Sequence, residues 1–142
     1  MNIIRTKDPK ICIQLRDAVF VREQGISPDI ELDSYDNPGS GAFHFLLIVR
    51  GIPIGTFRCF PEDPATLRFG RFCILKKKRG KHYGKLAMAY AEGFARSRGM
   101  SQIVIHAQCR AAGFYESCGY GSISDVFYED GVPHRVMKKV LS

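Results

Sequence analysis

Several things that would fix the class of this protein at once are missing from its sequence. No apolar stretch approaches the roughly 18 residues of a membrane-spanning helix, and the first residues carry no apolar signal-peptide core. The five cysteines, Cys12, Cys59, Cys73, Cys109 and Cys118, are odd in number and never stand in a C-x-x-C pair. They offer neither a disulfide framework nor a zinc site, so reduced and mostly buried thiols are expected, with no bound metal. There is no internal repeat, low-complexity tract or linker, and 142 residues suit one domain, 1–142, around a single core. The cytoplasm is the expected compartment.

What is present is concentrated. The net charge is +7, yet Lys76, Lys77, Lys78, Arg79, Lys81 and Lys85 fall within ten positions, and the rest of the chain is nearly neutral. A nucleic-acid binder more often shows a broad basic face, so a nucleic-acid domain using K-K-K-R-G-K is the weaker reading, and a solvated turn is another. The run follows an apolar stretch, Phe72 to Leu75, and contains Gly80 and Gly84. An amphipathic helix begins immediately afterwards. Backbone N–H groups at a helix start are unpaired and the macrodipole is positive there, so strand, glycine-bearing basic turn and helix together make an anion site.

Periodicity supplies the frame. Residues 2–6 read as a first strand, and Asp8-Pro9 opens a helix to about Arg22 whose apolar face is Ile11, Leu15, Ala18 and Val19. Residues 25–41 are a Gly-, Pro- and Asp-rich loop. It carries Asp29, Glu31, Asp33 and Asp36 without a basic residue, so its field would favour a cationic substrate if it faced a cleft. Residues 43–60 form a hairpin around Gly51, and 66–75 add a strand, giving an antiparallel meander of strands two to four. The central helix runs from about His82 to Arg98 with Tyr83, Leu86, Ala87, Tyr90, Ala91, Phe94 and Ala95 on one face. The short run 103–105 is then a buried fifth strand, parallel to the fourth across a crossover. A helix over 109–118 and two closing strands around E-D-G-V-P complete an α+β domain with a mixed sheet. Phe20, Phe43, Phe45 and Phe57 are read as core, and an exposed final strand could pair two copies as a homodimer.

The segment R-G-K-H-Y-G-K-L resembles the coenzyme A-binding pattern [Q/R]-x-x-G-x-[G/A] of the GCN5-related N-acetyltransferases (GNAT). Arg79 takes the first position and Gly84 the last, while His82 replaces the middle glycine. A-A-G-F-Y-E-S-C-G-Y at 111–120 resembles the family's A-x-x-F-Y-E-K-x-G-F helix and turn, and V-F-V-R-E-Q-G-I, H-A-Q and E-D-G-V-P-H resemble a small single-domain bacterial branch. The resemblance implies a GNAT-like acyl-CoA N-acyltransferase fold with strands four and five splayed, and acetyl-CoA as the acyl donor. Its pantetheine arm would pair with Cys73, Ile74 and Leu75, with the Ile74 N–H on the thioester carbonyl. Its phosphates would rest on the amides of Arg79, Gly80, Lys81, His82, Tyr83, Gly84 and Lys85. His82 could narrow that site or donate to a phosphate itself.

Tyr115 matches the family's tyrosine beside the CoA sulfur and is the candidate general acid, with side-chain packing as its other reading. Candidate general bases are Glu23 and His106, with Glu31 and Asp33 as further candidates and as acceptor-binding carboxylates. Cys118 reads as a small buried hydrophobe. The expected activity is transfer of an acetyl group to a primary amine, a small cationic one, with no nucleic-acid or membrane partner. A non-catalytic acyl-CoA sensor of the same fold is the alternative.

Overall fold

A computed structural model describes residues 1–142. Eight strands share one sheet: β1 (Asn2–Thr6), β2 (Phe43–Val49), β3 (Ile52–Asp63), β4 (Thr66–Ile74), β5 (Gln102–Gln108), β6 (Gly121–Ser122), β7 (Phe127–Glu129) and β8 (Val132–Val140). The spatial order is β1-β2-β3-β4-β5-β8-β6, with β7 also on β8. Strands β1 to β4 are an antiparallel meander, and β4 and β5 are the one parallel pair. The helix between those two strands, α3 (Tyr83–Ser97), is the crossover a parallel pair needs. The two tightest hairpins turn at Arg50-Gly51 and Asp130-Gly131, with φ of 52°, 77°, 55° and 75°. Positive φ at both turn residues matches the twist of the strands they join.

The two faces of the sheet are covered by different helices. On one, α3 and α4 (Ala112–Ser117) close over Phe45, Phe57 and Phe69, whose rings stack at centroid separations of 4.6 and 5.1 Å. On the other, α1 (Lys10–Arg16) packs Cys12 and Leu15 against Leu46 and Cys73. A short helix, α2 (Pro28–Glu31), and a 3-10 turn at Ser34–Asp36 lie in the loop that follows.

Both long helices bury a face slightly different from the one periodicity indicates. In α3 the buried residues are Ala87, Met88, Ala91, Glu92 and Ala95, while Leu86 and Tyr90 are exposed. The alanine stripe lets the helix approach the sheet closely, and Tyr90 reaches only the rim, edge-on to Phe45 at 5.7 Å. Glu92 is stabilised in the interior by Lys139 Nζ at 3.0 Å and the Tyr120 hydroxyl at 3.1 Å. In α1 the buried set is Cys12, Leu15 and Arg16, and Ile11 faces solvent. Arg16 counts as polar in a hydrophobicity pattern, yet it is buried by its ion pairs. Past α1 the chain widens into a π-helical segment, Asp17–Glu23, where the Gln24 N–H donates to the Val19 carbonyl. Of the four phenylalanines read as core, Phe45 and Phe57 are fully buried and Phe20 and Phe43 partly so.

The final strand is not an edge. β8 lies against β5 on one side, and β6 and β7 cover the other. The strand expected to be free for pairing two copies is therefore already covered: the closing hairpin expected around E-D-G-V-P is present as β7 and β8, and the two-residue β6, too short to show in the sequence pattern, pairs farther along β8. No helix is long and apolar enough to cross a membrane.

Candidate active site

The site exists because β4 and β5 part. Their parallel pairing covers only Thr66–Phe69 against Gln102–Ile105. Beyond it β4 continues on β3, and β5 continues on β8 to Gln108. Between them opens a cleft of about 730 Å³, within the usual size of a small-molecule site. A bulge in β4 lies at its edge: the register with β3 shifts between Cys73 and Gly70, and Arg71 sits there at φ 47°. Such bulges re-aim side chains.

The donor side of the cleft is made of main chain. Ile74 lies opposite Gly55, while the Leu75 N–H donates to the Ile54 carbonyl at 2.9 Å. Alternation of an antiparallel ladder therefore turns the N–H of Ile74 away from β3, into the opening. Gly55 is needed for that approach, since a Cβ there would stand 2.7 Å from the Cys73 carbonyl oxygen. Cys73 itself is buried among α1 residues, and burial pushes its thiol up to about 12. Its thiol is therefore protonated at neutral pH.

After a 3-10 turn at Lys76–Lys78, the chain enters α3 through Gly80 at φ 78° and His82 at φ 63°. His82 is the N-cap of α3 and makes no side-chain cap bond, so the first amides of the helix, Tyr83, Gly84 and Lys85, are left to face outward. The left-handed conformation of His82 gives a physical reason for a glycine at this place in the motif. Gly84 has a different role, for a Cβ on it would lie 2.9 Å from the Phe114 ring. It seats α3 against α4.

Arg79 is already engaged. Its guanidinium makes a two-bonded pair with Glu23 at 2.7 and 2.8 Å, and its Nε donates to the Ile74 carbonyl at 2.8 Å. The N–H of Arg79 donates, at 3.4 Å, to the Lys76 carbonyl. Arg79 therefore shapes the turn, and the amides from Gly80 onward are those without a partner in the turn. The same pair holds the Glu23 carboxyl below the usual carboxylate range.

Tyr115 lies on α4 at the cleft wall and is buried among Phe114 and Tyr120. Burial raises its phenol well above the ordinary value. Cys118 is half-buried nearby, packed on the core.

The acceptor side is made of side chains. The acidic loop does not stand alone: Glu31 receives Arg16 at 2.8 and 2.9 Å and Arg71 at 3.1 Å. Asp36 receives Arg16 at 2.7 and 2.8 Å and Arg58 at 3.1 Å, and Asp33 receives Arg58 at 2.7 and 2.9 Å and Arg71 at 3.3 Å. Three arginines from α1, β3 and β4 thus offset three of the loop's four carboxylates, all but Asp29, and most of the field expected from this loop is cancelled locally. The pairing holds the Asp36 carboxyl far below its usual range, against the cost of burying it. Glu31, with both oxygens occupied, fastens the loop to the cleft, while Asp33 stays partly open.

His106 stands on β5 just past the point of divergence and lines the cleft. Its Nδ1 is 3.2 Å from Glu129 Oε1, and the other oxygen of Glu129 is 3.7 Å from His134 Nε2. Glu23 and His106 are thus not a pair: Glu23 is tied through Arg79 to the turn before α3, and His106 belongs to the far wall. Glu129 and His134 escape a reading of isolated candidates, as do Arg16, Arg58 and Arg71. The hairpin around Asp130-Gly131 was the available signal, because its register brings Phe127 opposite His134 and places Glu129 two pairs nearer the turn, opposite Val132.

Comparisons with known proteins agree with this geometry. Residues 23–141 match the family described as acetyltransferase (GNAT) domain. A protein of Bacillus subtilis (strain 168) named as an acetyltransferase is 36% identical over 138 residues, covering 97% of this chain and 93% of its own. An N-acetyltransferase crystal structure from Lactobacillus plantarum aligns with a TM-score of 0.89 at 36% identity, covering 99% of this chain and 98% of that one. An aminoglycoside 6'-N-acetyltransferase complexed with coenzyme A has the same fold, with a TM-score of 0.78, 16% identity and coverage of 99% and 97%.

Proposed function

The chain belongs to the acetyltransferase (GNAT) family, and from that premise we propose that it moves the acetyl group of acetyl-CoA directly to a primary amine in a ternary complex. The observation that carries this reading is the parting of β4 and β5 beside a helix start with unpaired amides. The pantetheine arm pairs with the free edge of β4 at residues 73–75, and the phosphates rest on the amides of residues 80–85 with Lys78, Lys81 and Lys85 nearby. Acetyl-CoA supplies the activated thioester. The Ile74 N–H is the donor for its carbonyl oxygen as negative charge develops there.

Tyr115 serves the leaving sulfur. Burial keeps its hydroxyl protonated, and the same burial disfavours a free thiolate, so the proton is shared as the C–S bond breaks. Of the four base candidates, Glu23 is neutralised by Arg79 and Glu31 and Asp33 are paired with arginines, whereas His106 offers the cleft a ring nitrogen without a protein partner. The acceptor is a small cationic amine. With the acidic loop offset by arginines, that preference rests on Glu129 and Asp130 at the cleft wall.

Measuring CoA release from acetyl-CoA across a panel of small amines, polyamines, aminoglycosides and amino acids, with background hydrolysis subtracted, tests the proposal. Turnover with at least one cationic amine is expected. Saturable acetyl-CoA binding with no turnover on any amine would instead indicate a non-catalytic acyl-CoA-binding module.

A further inference from the structure

We propose that Glu129 is a positioning residue that fixes His106 with its proton on Nδ1 and its Nε2 bare, making Nε2 the atom that takes the proton from the acceptor's ammonium group. The proposal rests on the acetyl-transfer reading above and names the residues that serve its acceptor side.

A carboxylate only accepts, so the contact of 3.2 Å between Glu129 Oε1 and His106 Nδ1 requires the hydrogen on Nδ1. In the neutral ring the lone pair is then on Nε2, for which the protein provides no partner. His134 is fixed by the same logic: its Nδ1 is 2.7 Å from the Val132 carbonyl oxygen, so that nitrogen carries hydrogen and Nε2 faces Glu129 at 3.7 Å. Phe127 holds both rings, edge-on to His106 at 5.5 Å and stacked on His134 at 6.0 Å. Three strands contribute: β5 gives His106, β7 gives Phe127 and Glu129, and β8 gives His134.

The charged and titratable groups facing His106 come from every neighbouring element. Those that line the cleft on its side-chain wall include Arg58 on β3, Arg68 and Arg71 on β4, Glu129 on β7, Asp130 in the turn and His134 on β8, and Arg58 and Arg71 are engaged with Asp33. Arg68 is paired at 2.8 Å with Glu62, which leaves Glu129 as the carboxylate in direct contact with the ring. Its bond to His106 also holds the Glu129 carboxyl below the usual range, so it is ionised at neutral pH. A fixed carboxylate behind an imidazole orients the ring and stabilises the imidazolium that proton transfer creates.

The proton balance closes. His106 Nε2 takes one proton from R–NH3⁺, and the freed amine attacks the thioester carbonyl. As the C–N bond forms and the C–S bond breaks, Tyr115 protonates the sulfur and the nitrogen's second proton restores the phenol through solvent. The products are the amide, CoA thiol and one proton leaving through His106.

The test combines imidazole ¹⁵N NMR of the substrate-free protein with kinetics of Glu129→Gln and His106→Gln. In the wild type at pH 8, His106 is expected to show a protonated Nδ1 and a bare Nε2, a preference lost in Glu129→Gln. That variant is expected to lower kcat by about tenfold or more with acetyl-CoA affinity unchanged, and His106→Gln to lower it about 100-fold and remove the acidic limb of the kcat/KM profile. If Glu129→Gln does not fold, Glu129→Asp, which keeps the charge, is expected to retain the tautomer. A protonated Nε2 in the wild type, an unchanged kcat in Glu129→Gln, or losses of kcat, acetyl-CoA affinity and thermal stability in parallel would each overturn the proposal. The spectrum is read without substrate, so absence of transfer to every amine would count against the acetyl-transfer reading alone.

Discussion

The two walls of the cleft are built from different materials. The donor wall is main chain: the free edge of β4, two residues at positive φ, and the first amides of α3. The acceptor wall is side chain: three arginines on three carboxylates, and a glutamate between two histidines. On the function proposed above, a wall of backbone would suit any acyl-CoA, because thioester, pantetheine and phosphates keep the same spacing whatever the acceptor. A wall of side chains can change with a few substitutions, and on the same proposal it is where the acceptor would be chosen. Substitutions on the donor wall should thus act through geometry, and those on the acceptor wall through charge.

The largest effect is expected on the sulfur side. Tyr115→Phe should lower kcat by about 100-fold while calorimetry shows acetyl-CoA affinity unchanged, since only the hydroxyl is removed. An unchanged kcat would exclude the acid role.

Next comes the ion network that holds the acceptor wall. Arg16→Met should cost about 3–5 kcal/mol, because Glu31 and Asp36 are left buried without their main partner. Thermal unfolding should fall by about 10 °C. A pH series refines this. Asp36 has its carboxyl depressed on folding, so its contribution is present above the unfolded value of about 4 and is lost as pH falls below it. The wild type should therefore lose stability steeply below about pH 4, and Arg16→Met less steeply.

On the donor wall, Glu23→Gln should leave kcat within about threefold, because a carboxylate tied to Arg79 is a weak base. A collapse of kcat would restore Glu23 as the base. The smallest effect belongs to His82→Gly, which should stabilise the protein by about 1 kcal/mol by relieving a left-handed side-chain-bearing residue. Acetyl-CoA affinity should be kept, as the amides proposed to face the phosphates are unchanged.

This contrast also explains how much could be read before the structure. The meander, the crossover and the parallel pair follow from local patterns, and the turn and helix start at residues 80–85, the proposed anion site, follow from glycines and lysines adjacent in sequence. Family resemblance sharpened the same stretch, since its motif is continuous. The acceptor wall is assembled from positions as distant as Arg16, Arg71 and Glu129, and no window of sequence holds them together. Arg16 misled the pattern of α1 because a buried ion pair looks like a surface residue until its partners are known. The acidic loop misled in the opposite sense: its carboxylates looked free because their arginines lie on other strands. The closing hairpin of β7 and β8 was legible from E-D-G-V-P, but β6 is two residues long, too short for periodicity, so the outer side of β8 looked like an edge.

The central claim is that the opening between β4 and β5 is an acetyl-CoA site with its phosphates on the start of α3. Calorimetric titration of the pure protein with acetyl-CoA tests it most directly. Saturable one-to-one binding, weakened when the 3'-phosphoadenosine diphosphate part is absent from the ligand, is the predicted result; no heat and no thermal shift at millimolar acetyl-CoA would contradict it.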